Sequence, residues 1–264
     1  MIMNILFIGD IIGKPGRRAV RELLPRLAAE AGIDFVIANC ENAAAGFGVT
    51  RDVVEELYRD GVHVLTSGNH FWDKKEVLEF AEDYETLLRP ANYPDGVPGW
   101  GSAILPTATG EYVGVLNLAG RVFMAPLDCP FRTADRELAL LEKKARIIIV
   151  DVHAEATSEK QALGWYLAGR VSAVIGTHTH VQTSDACIRP GGTAYLTDAG
   201  MTGPFESVIG IGKEIILERF LSLTPRKYDV AKGDIRLQGA VITVDEKTGR
   251  ATDIQAISRK LEAG

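Results

Sequence analysis

The sequence is short of the residues that announce several common functions. Its three cysteines, Cys40, Cys129 and Cys187, show no CxxC or zinc-ribbon spacing, so no cysteine-built zinc site is expected. Reduced thiols of a cytosolic protein are the default. No apolar run approaches the roughly 20 residues needed to cross a bilayer. The amino terminus has no basic n-region, and the run Asn4 to Ile8 stops at Gly9-Asp10; it reads as a strand, not a signal peptide. Positive charge is also scarce. With 29 Lys and Arg against 35 Asp and Glu, the formal net charge of −6 argues against stable binding of long nucleic acid through phosphate neutralisation. A small phosphorylated substrate stays open, because bound metal ions can supply local positive charge. A soluble cytoplasmic protein, with no membrane partner, is the expectation.

Familiar catalytic signatures are missing too. Gly9-Asp10-Ile11-Ile12-Gly13-Lys14-Pro15 is one residue short of a Walker loop and has Pro where Ser or Thr is required. The same glycines form no GxGxxG, and no GxSxG elbow occurs anywhere.

What the chain does have is core. At 264 residues and 46% hydrophobic it can bury a large interior, and one domain over 1–264 is expected. The run Asn4 to Ile8 is apolar without alternation, as suits a strand covered on both faces. Gly13-Lys14-Pro15-Gly16 reads as a turn, and Arg17 to Ala31 has helical spacing, with Pro25 as a kink and Gly32 as the stop. A strand over 34–38 follows, then a helix over 51–59 capped by Thr50, then a strand over 63–66. This β-α-β-α-β order predicts parallel strands with right-handed crossovers. The middle differs: Ser102 to Leu105 and Tyr112 to Leu118 read as an antiparallel pair around Gly110. Helices over 135–144 and 158–169 flank a strand over 146–152, and Asp234 to Val244 and Ala251 to Ser258 read as antiparallel strands. Parallel and antiparallel signals together predict mixed sheets or a two-sheet sandwich.

Only five histidines occur, and their placement carries the chemistry. Gly176-Thr177-His178-Thr179-His180 follows the apolar run Val171 to Ile175 directly. In extended backbone, residues i and i+2 project to one side, so His178 and His180 are expected to face one pocket. Asp10, the Glu41-Asn42 pair, Asn69-His70 and His153 also stand where strands should stop, and ligands of such sheets gather at strand carboxyl ends. Each has a plainer reading: Asp10 as a helix cap, Glu41-Asn42 as a solvated loop, Asn69 as a turn residue, His153 as an ordinary imidazole. Five polar strand exits together favour ligands. His63 lacks that context and is read as structural, while Asp73 and Glu155 are candidate partners that orient a histidine.

Asp10, Glu41, Asn42, Asn69, His153, His178 and His180 are too many ligands for one tetrahedral ion, so two are expected. Mixed nitrogen and carboxylate donors suit zinc, iron, manganese or cobalt. A carboxylate such as Glu41 or Asp10 can bridge two ions about 3.5–4 Å apart, which lowers the pKa of a bridging water and clamps an in-line displacement. Phosphate ester hydrolysis is the reaction this arrangement serves best.

These motifs carry a resemblance. Gly9-Asp10, Gly68-Asn69-His70, His153 and Gly176-Thr177-His178-Thr179-His180 resemble the ordered motifs of calcineurin-like metallophosphoesterases. More narrowly, Gly9-Asp10-Ile11-Ile12-Gly13, Ala38-Asn39-Cys40-Glu41-Asn42-Ala43 and Thr197-Asp198-Ala199-Gly200-Met201 resemble the YmdB subfamily across essentially the whole chain. Ile12 stands where the wider superfamily has His, and Glu41 where it has a bridging Asp; both departures are subfamily features. The resemblance implies an α/β fold, a four-layer α/β/β/α sandwich of mixed sheets. It implies one ion held by Asp10, Glu41, Asn42 and His180, and a second held by Glu41, Asn69, His153 and His178. Iron or manganese is the implied occupant, with zinc also compatible, and His70 is the implied proton donor. The implied activity is hydrolysis of 2',3'-cyclic nucleotides to 3'-nucleotides, by a hydroxide bridging the two ions, in a homo-oligomer. Alternatives are a phosphomonoesterase, another phosphodiesterase of the superfamily, or a slow-turnover nucleotide-binding regulator.

Overall fold

In the computed structural model residues 1–262 are described, so the last two residues of the expected 1–264 domain lie outside the described residues. The first apolar run is β1 (Ile2–Ile8). Its side chains alternate between two cores, with Met3, Ile5 and Phe7 on one face and Leu6 and Ile8 on the other, which is why the run shows no polar alternation.

β1 is central in a seven-stranded sheet of order β2 (Asp10–Ile11), β11 (Met201–Pro204), β12 (Ile235–Asp245), β1, β3 (Phe35–Asn39), β4 (Val64–Thr66), with β13 (Arg250–Lys260) paired to β12. β1, β3 and β4 run parallel, and β12 is antiparallel to both β1 and β13. The second sheet has the order β5 (Ser102–Pro106), β6 (Tyr112–Ala119), β7 (Ile147–His153), β8 (Ala173–Thr177), β10 (Thr193–Leu196), β9 (Cys187–Arg189). Its four central strands are parallel and its edges antiparallel. Both sheets are therefore mixed.

The sheets pack face to face through Met3, Ile5, Phe7 and Ile37 of one and Val115, Ile149 and Ile175 of the other, all buried. The outer face of the first is covered by α1 (Gly13–Ala31), α2 (Arg51–Arg59) and α3 (Val77–Phe80). On the second, α4 (Pro130–Leu141) and α5 (Thr157–Tyr166) do the same. Helix, sheet, sheet and helix form the four expected layers. Burying one Leu or Ile side chain is worth about 1.5–3 kcal/mol, so three stacked cores hold a chain whose three cysteines are all free. A final helix, α6 (Lys213–Ser222), precedes β12. Among the described residues no helix is long and apolar enough to cross a membrane.

One local expectation is corrected. Gly13-Lys14-Pro15-Gly16 is not a turn before the helix but its first turn. The leading N–H groups of a helix have no partner within it, so a proline there sacrifices no bond. Thr50 caps α2 as expected, accepting from the Val53 N–H at 3.4 Å.

Candidate metal centre

The parallel strands of both sheets end at one place. β1 runs out into Asp10, β3 into Glu41 and Asn42, β4 into Asn69 and His70, while His153 is the last residue of β7 and β8 is followed by His178 and His180. Asp10, Glu41 and His153 are essentially inaccessible. Asp10 is no helix cap: the residue at the α1 N-cap is Ile12, and no side chain caps it.

The donors fall into two adjoining groups, Glu41 with His153 and His178, and Asp10 with Glu41 and His180. Glu41 is common to both. In the first group His153 Nε2 lies 3.1 Å from Glu41 Oε1, 3.1 Å from Asn69 Oδ1 and 3.0 Å from His178 Nδ1. The far nitrogens explain these contacts. His153 Nδ1 is 2.9 Å from Thr177 Oγ1, whose own hydroxyl donates to Asp151 at 2.7 Å; the imidazole must therefore donate through Nδ1. His178 Nε2 lies 3.0 Å from Glu155 Oε2 and donates there. Both rings thus turn a lone pair toward the same point, which Glu41 and Asn69 also face. Four acceptors converging without a donor are what a cation satisfies.

The second group is looser. His180 Nε2 and His153 Nδ1 each stand 3.9 Å from Asp10 Oδ1. Asp10 Oδ1 and Asn42 Oδ1, both buried, have no hydrogen-bond partner among the described residues. Orphaned buried oxygens are costly unless something cationic meets them. His180 Nδ1 donates to the Ile209 carbonyl at 2.9 Å, which leaves Nε2 as the lone-pair nitrogen. The donor set fits metal ions in both groups.

Electrostatics agree. Burial raises the Asp10 carboxyl above its ordinary value, against the opposing pull of His180 and His153. Burial alone would lower His153, but the Glu41 carboxylate outweighs it, with Asp10 and Asp151 assisting, and the imidazole rises to about 9. Burial would likewise raise Glu41, yet His153 and the His70 N–H bring it down to about 2. Burial, and then His153, push His178 down to about 3. A proton on His153 thus takes the place a metal ion would take.

Over this floor lies a cleft of about 360 Å³. Its walls include His70, whose Nδ1 is 2.8 Å from Asp73 Oδ2 and whose backbone N–H donates to Glu41 Oε2 at 3.1 Å. Phe47 stands edge-on to the His70 ring at 4.9 Å, and Tyr228 lies 6.0 Å beyond it. Gly68 has to be glycine: a Cβ there would come within 2.1 Å of His153 and 2.5 Å of Glu41.

A family model described as YmdB-like protein matches residues 6–257. The chain belongs to the YmdB-like family. It is 49% identical over 255 residues to a 2',3'-cyclic-nucleotide 2'-phosphodiesterase of Bacillus subtilis, covering 97% of this chain and 96% of that protein. Among solved structures, a hypothetical protein of Thermus thermophilus superposes with a TM-score of 0.91 at 46% identity, covering 98% of this chain and 99% of that one. A Mycoplasma pneumoniae protein described as a novel phosphatase gives a TM-score of 0.92 at 33% identity, covering 98% and 94%.

In this YmdB-like chain all seven expected ligands reach one site, but one reason for expecting it was wrong. His178 and His180 are not alternate residues of an extended strand. β8 stops at Thr177, and both histidines have positive φ, 97° and 64°, so one turns to each group. Backbone in that region is strained for non-glycine residues, and a buried ion pair holds it. Lys160 Nζ donates to Asp198 Oδ2 at 2.7 Å, and the same oxygen accepts from Thr179 N at 3.1 Å and Thr179 Oγ1 at 2.7 Å. Sequence reasoning missed Lys160, Asp151 and Thr177. Only the small, polar stretch around Asp198 offered a signal. Asp73 and Glu155 do contact His70 and His178, and His63 is structural: its Nδ1 accepts from Val36 N at 3.0 Å and its ring stacks on Phe35.

Proposed function

We propose that the chain is a metal-dependent phosphodiesterase of a single domain that opens 2',3'-cyclic nucleotides to 3'-nucleotides. The observation that carries this is Glu41, shared by two donor groups that adjoin on the floor of a cleft bearing His70. Asp10, Glu41, Asn42 and His180 would hold one ion, and Glu41, Asn69, His153 and His178 the other. When bound, such a pair supplies an activated water and neutralises charge on the phosphoryl oxygens. The protein's own work is to present, orient and protonate. Thr177, Glu155 and the Ile209 carbonyl fix the three imidazoles in the tautomers that point their lone pairs inward. Asp73 accepts from His70 Nδ1, so the ring acts as an acid in its doubly protonated form, in which Nε2 gives a proton to the departing ribose O2'. The P–O2' bond breaks, that oxygen becomes a hydroxyl, and the phosphate stays on O3'. Phe47 and Tyr228 offer flat apolar surface for a base.

Iron or manganese is the proposed metal, and the cytoplasm the proposed compartment. A homo-oligomer is proposed as well, supported by the exposed Leu217, Phe220 and Leu221 on α6.

Metal analysis of the purified protein, coupled to initial rates on a 2',3'-cyclic nucleotide, a 3',5'-cyclic nucleotide and a monoester, with and without chelator, tests the reading. Two ions per chain and a chelator-sensitive preference for the 2',3'-cyclic substrate are expected. A preference for the monoester, or tight nucleotide binding without product in metal-loaded protein, would overturn it.

A further inference from the structure

The cleft above the metal centre does not end at Tyr228. That side chain is also a wall of a second, larger groove of about 760 Å³, and the loop Ala45-Gly46-Phe47 runs along the boundary, with Ala45 on the groove and Gly46 and Phe47 on the cleft. The two spaces are neighbours.

The groove's charge is opposite to that of the protein. Lys14 and Arg18 of α1, Lys74 from the loop after β4, and Lys227 and Lys232 from the segment after α6 line it, against one carboxylate, Asp229. Arg18 is paired with Glu22 at 2.7 Å. No described carboxylate comes within 4.0 Å of the ammonium groups of the four lysines. Beyond it, a recess of about 320 Å³ continues past Lys14 and Lys74 to Arg17, which is itself paired with Glu56 at 2.8 Å. Like charges gathered from three separate segments repel one another unless a polyanion lies between them. The overall charge of −6 still disfavours long nucleic acid, but this track is local and spans only a few phosphates.

We propose that the substrate is the 3' end of a short RNA strand terminating in a 2',3'-cyclic phosphate, whose upstream phosphates lie in the Lys14–Lys74–Lys227–Lys232 groove. The inference rests on the phosphodiesterase reading and names its substrate class. With the cyclic phosphate over the metal centre, the terminal nucleotide's O5' is the atom from which the chain continues, and the groove beside Tyr228 receives it. The chemistry is unchanged: water supplies the new oxygen on phosphorus, the P–O2' bond breaks, O2' takes a proton, and a 3'-phosphate end results. The reaction that supplies such ends is RNA cleavage by attack of the 2'-hydroxyl on its own 3'-phosphodiester.

The test compares kcat/KM for the metal-loaded enzyme on three substrates: a 2',3'-cyclic mononucleotide, the same compound carrying a 5'-phosphate, and a tetranucleotide with a 2',3'-cyclic phosphate end. A stepwise rise is expected, to about 10- to 100-fold for the tetranucleotide. That gain should fall with added salt with a log–log slope of about −2, as roughly three phosphate contacts on a single strand require, while the mononucleotide stays nearly flat. In K227A/K232A the tetranucleotide-to-mononucleotide ratio should drop toward one. The salt titration of the unaltered enzyme stands whether or not that variant folds. Equal, salt-independent rates on all three substrates would overturn the proposal and leave the phosphodiesterase reading intact. A gain complete at the first 5'-phosphate would also overturn it, since the groove would then take one phosphate and not a strand. No turnover of any of the three would overturn the phosphodiesterase reading, and this one with it.

Discussion

The two halves of the candidate metal centre are built differently although they share Glu41. Around His153 the donors are drawn in to 3.0–3.1 Å, and each ring is locked from behind by Thr177 or Glu155. Around Asp10 the contacts stretch to 3.9 Å, and two buried oxygens have no partner among the described residues. One half is drawn together by the protein's own hydrogen bonds; the other, although the Ile209 carbonyl fixes His180, leaves two buried oxygens for whatever binds there to meet. The lesson is that preorganisation need not be even across two adjoining donor groups, and the tighter group is expected to take up metal first and release it last.

The harshest way to break that contrast is to remove what both halves share. Glu41→Gln should lose about 10⁴-fold or more in kcat and both ions together, read by metal analysis; loss of only one ion would show that the halves are independent. His70→Ala separates chemistry from binding. It should cost about 10² to 10⁴-fold on an unactivated cyclic nucleotide with metal content unchanged, and full activity would remove His70 from the acid role.

The clamp on the His178–His180 turn comes next. Lys160→Met leaves Asp198 buried without its cation, which should cost about 3 kcal/mol in denaturant unfolding, with the Asp10 half losing its ion first because His180 stands at the end of that turn. Thr177→Val touches only the tighter half. Freeing the His153 tautomer should weaken its ion about 10- to 100-fold and leave the other in place, as titration with a competing chelator would show.

The last effect is on pH. His153 sits at about 9 in the metal-free protein, so below that value an ion entering the tighter half must displace a proton. Its apparent affinity should therefore rise with pH by about tenfold per unit between roughly pH 7 and 9, and then level off. Stability without metal runs the opposite way. The raised His153 contributes fully below its unfolded value near 6.5, and that contribution is lost as pH rises through about 9.

The sequence alone determined the fold class and which polar residues stand at the strand ends, because both are periodic or local. Apolar runs covered on both faces become buried strands wherever they occur, and a parallel strand delivers its next residue to a fixed edge; Asp10, Glu41, Asn69 and His153 were legible for that reason. What the tertiary structure decided was everything set by contact between segments distant in the chain. Lys160 and Asp151 look like ordinary surface charges until α5 and β7 bury them against Asp198 and Thr177. The left-handed turn that sends His178 and His180 to different halves cannot be read from Gly176-Thr177-His178-Thr179-His180, since the oxygen that holds it belongs to Asp198. The groove beside Tyr228 likewise gathers lysines from residues 14, 74, 227 and 232. Composition records their number, but charge acts through distance in space, and only folding sets that distance.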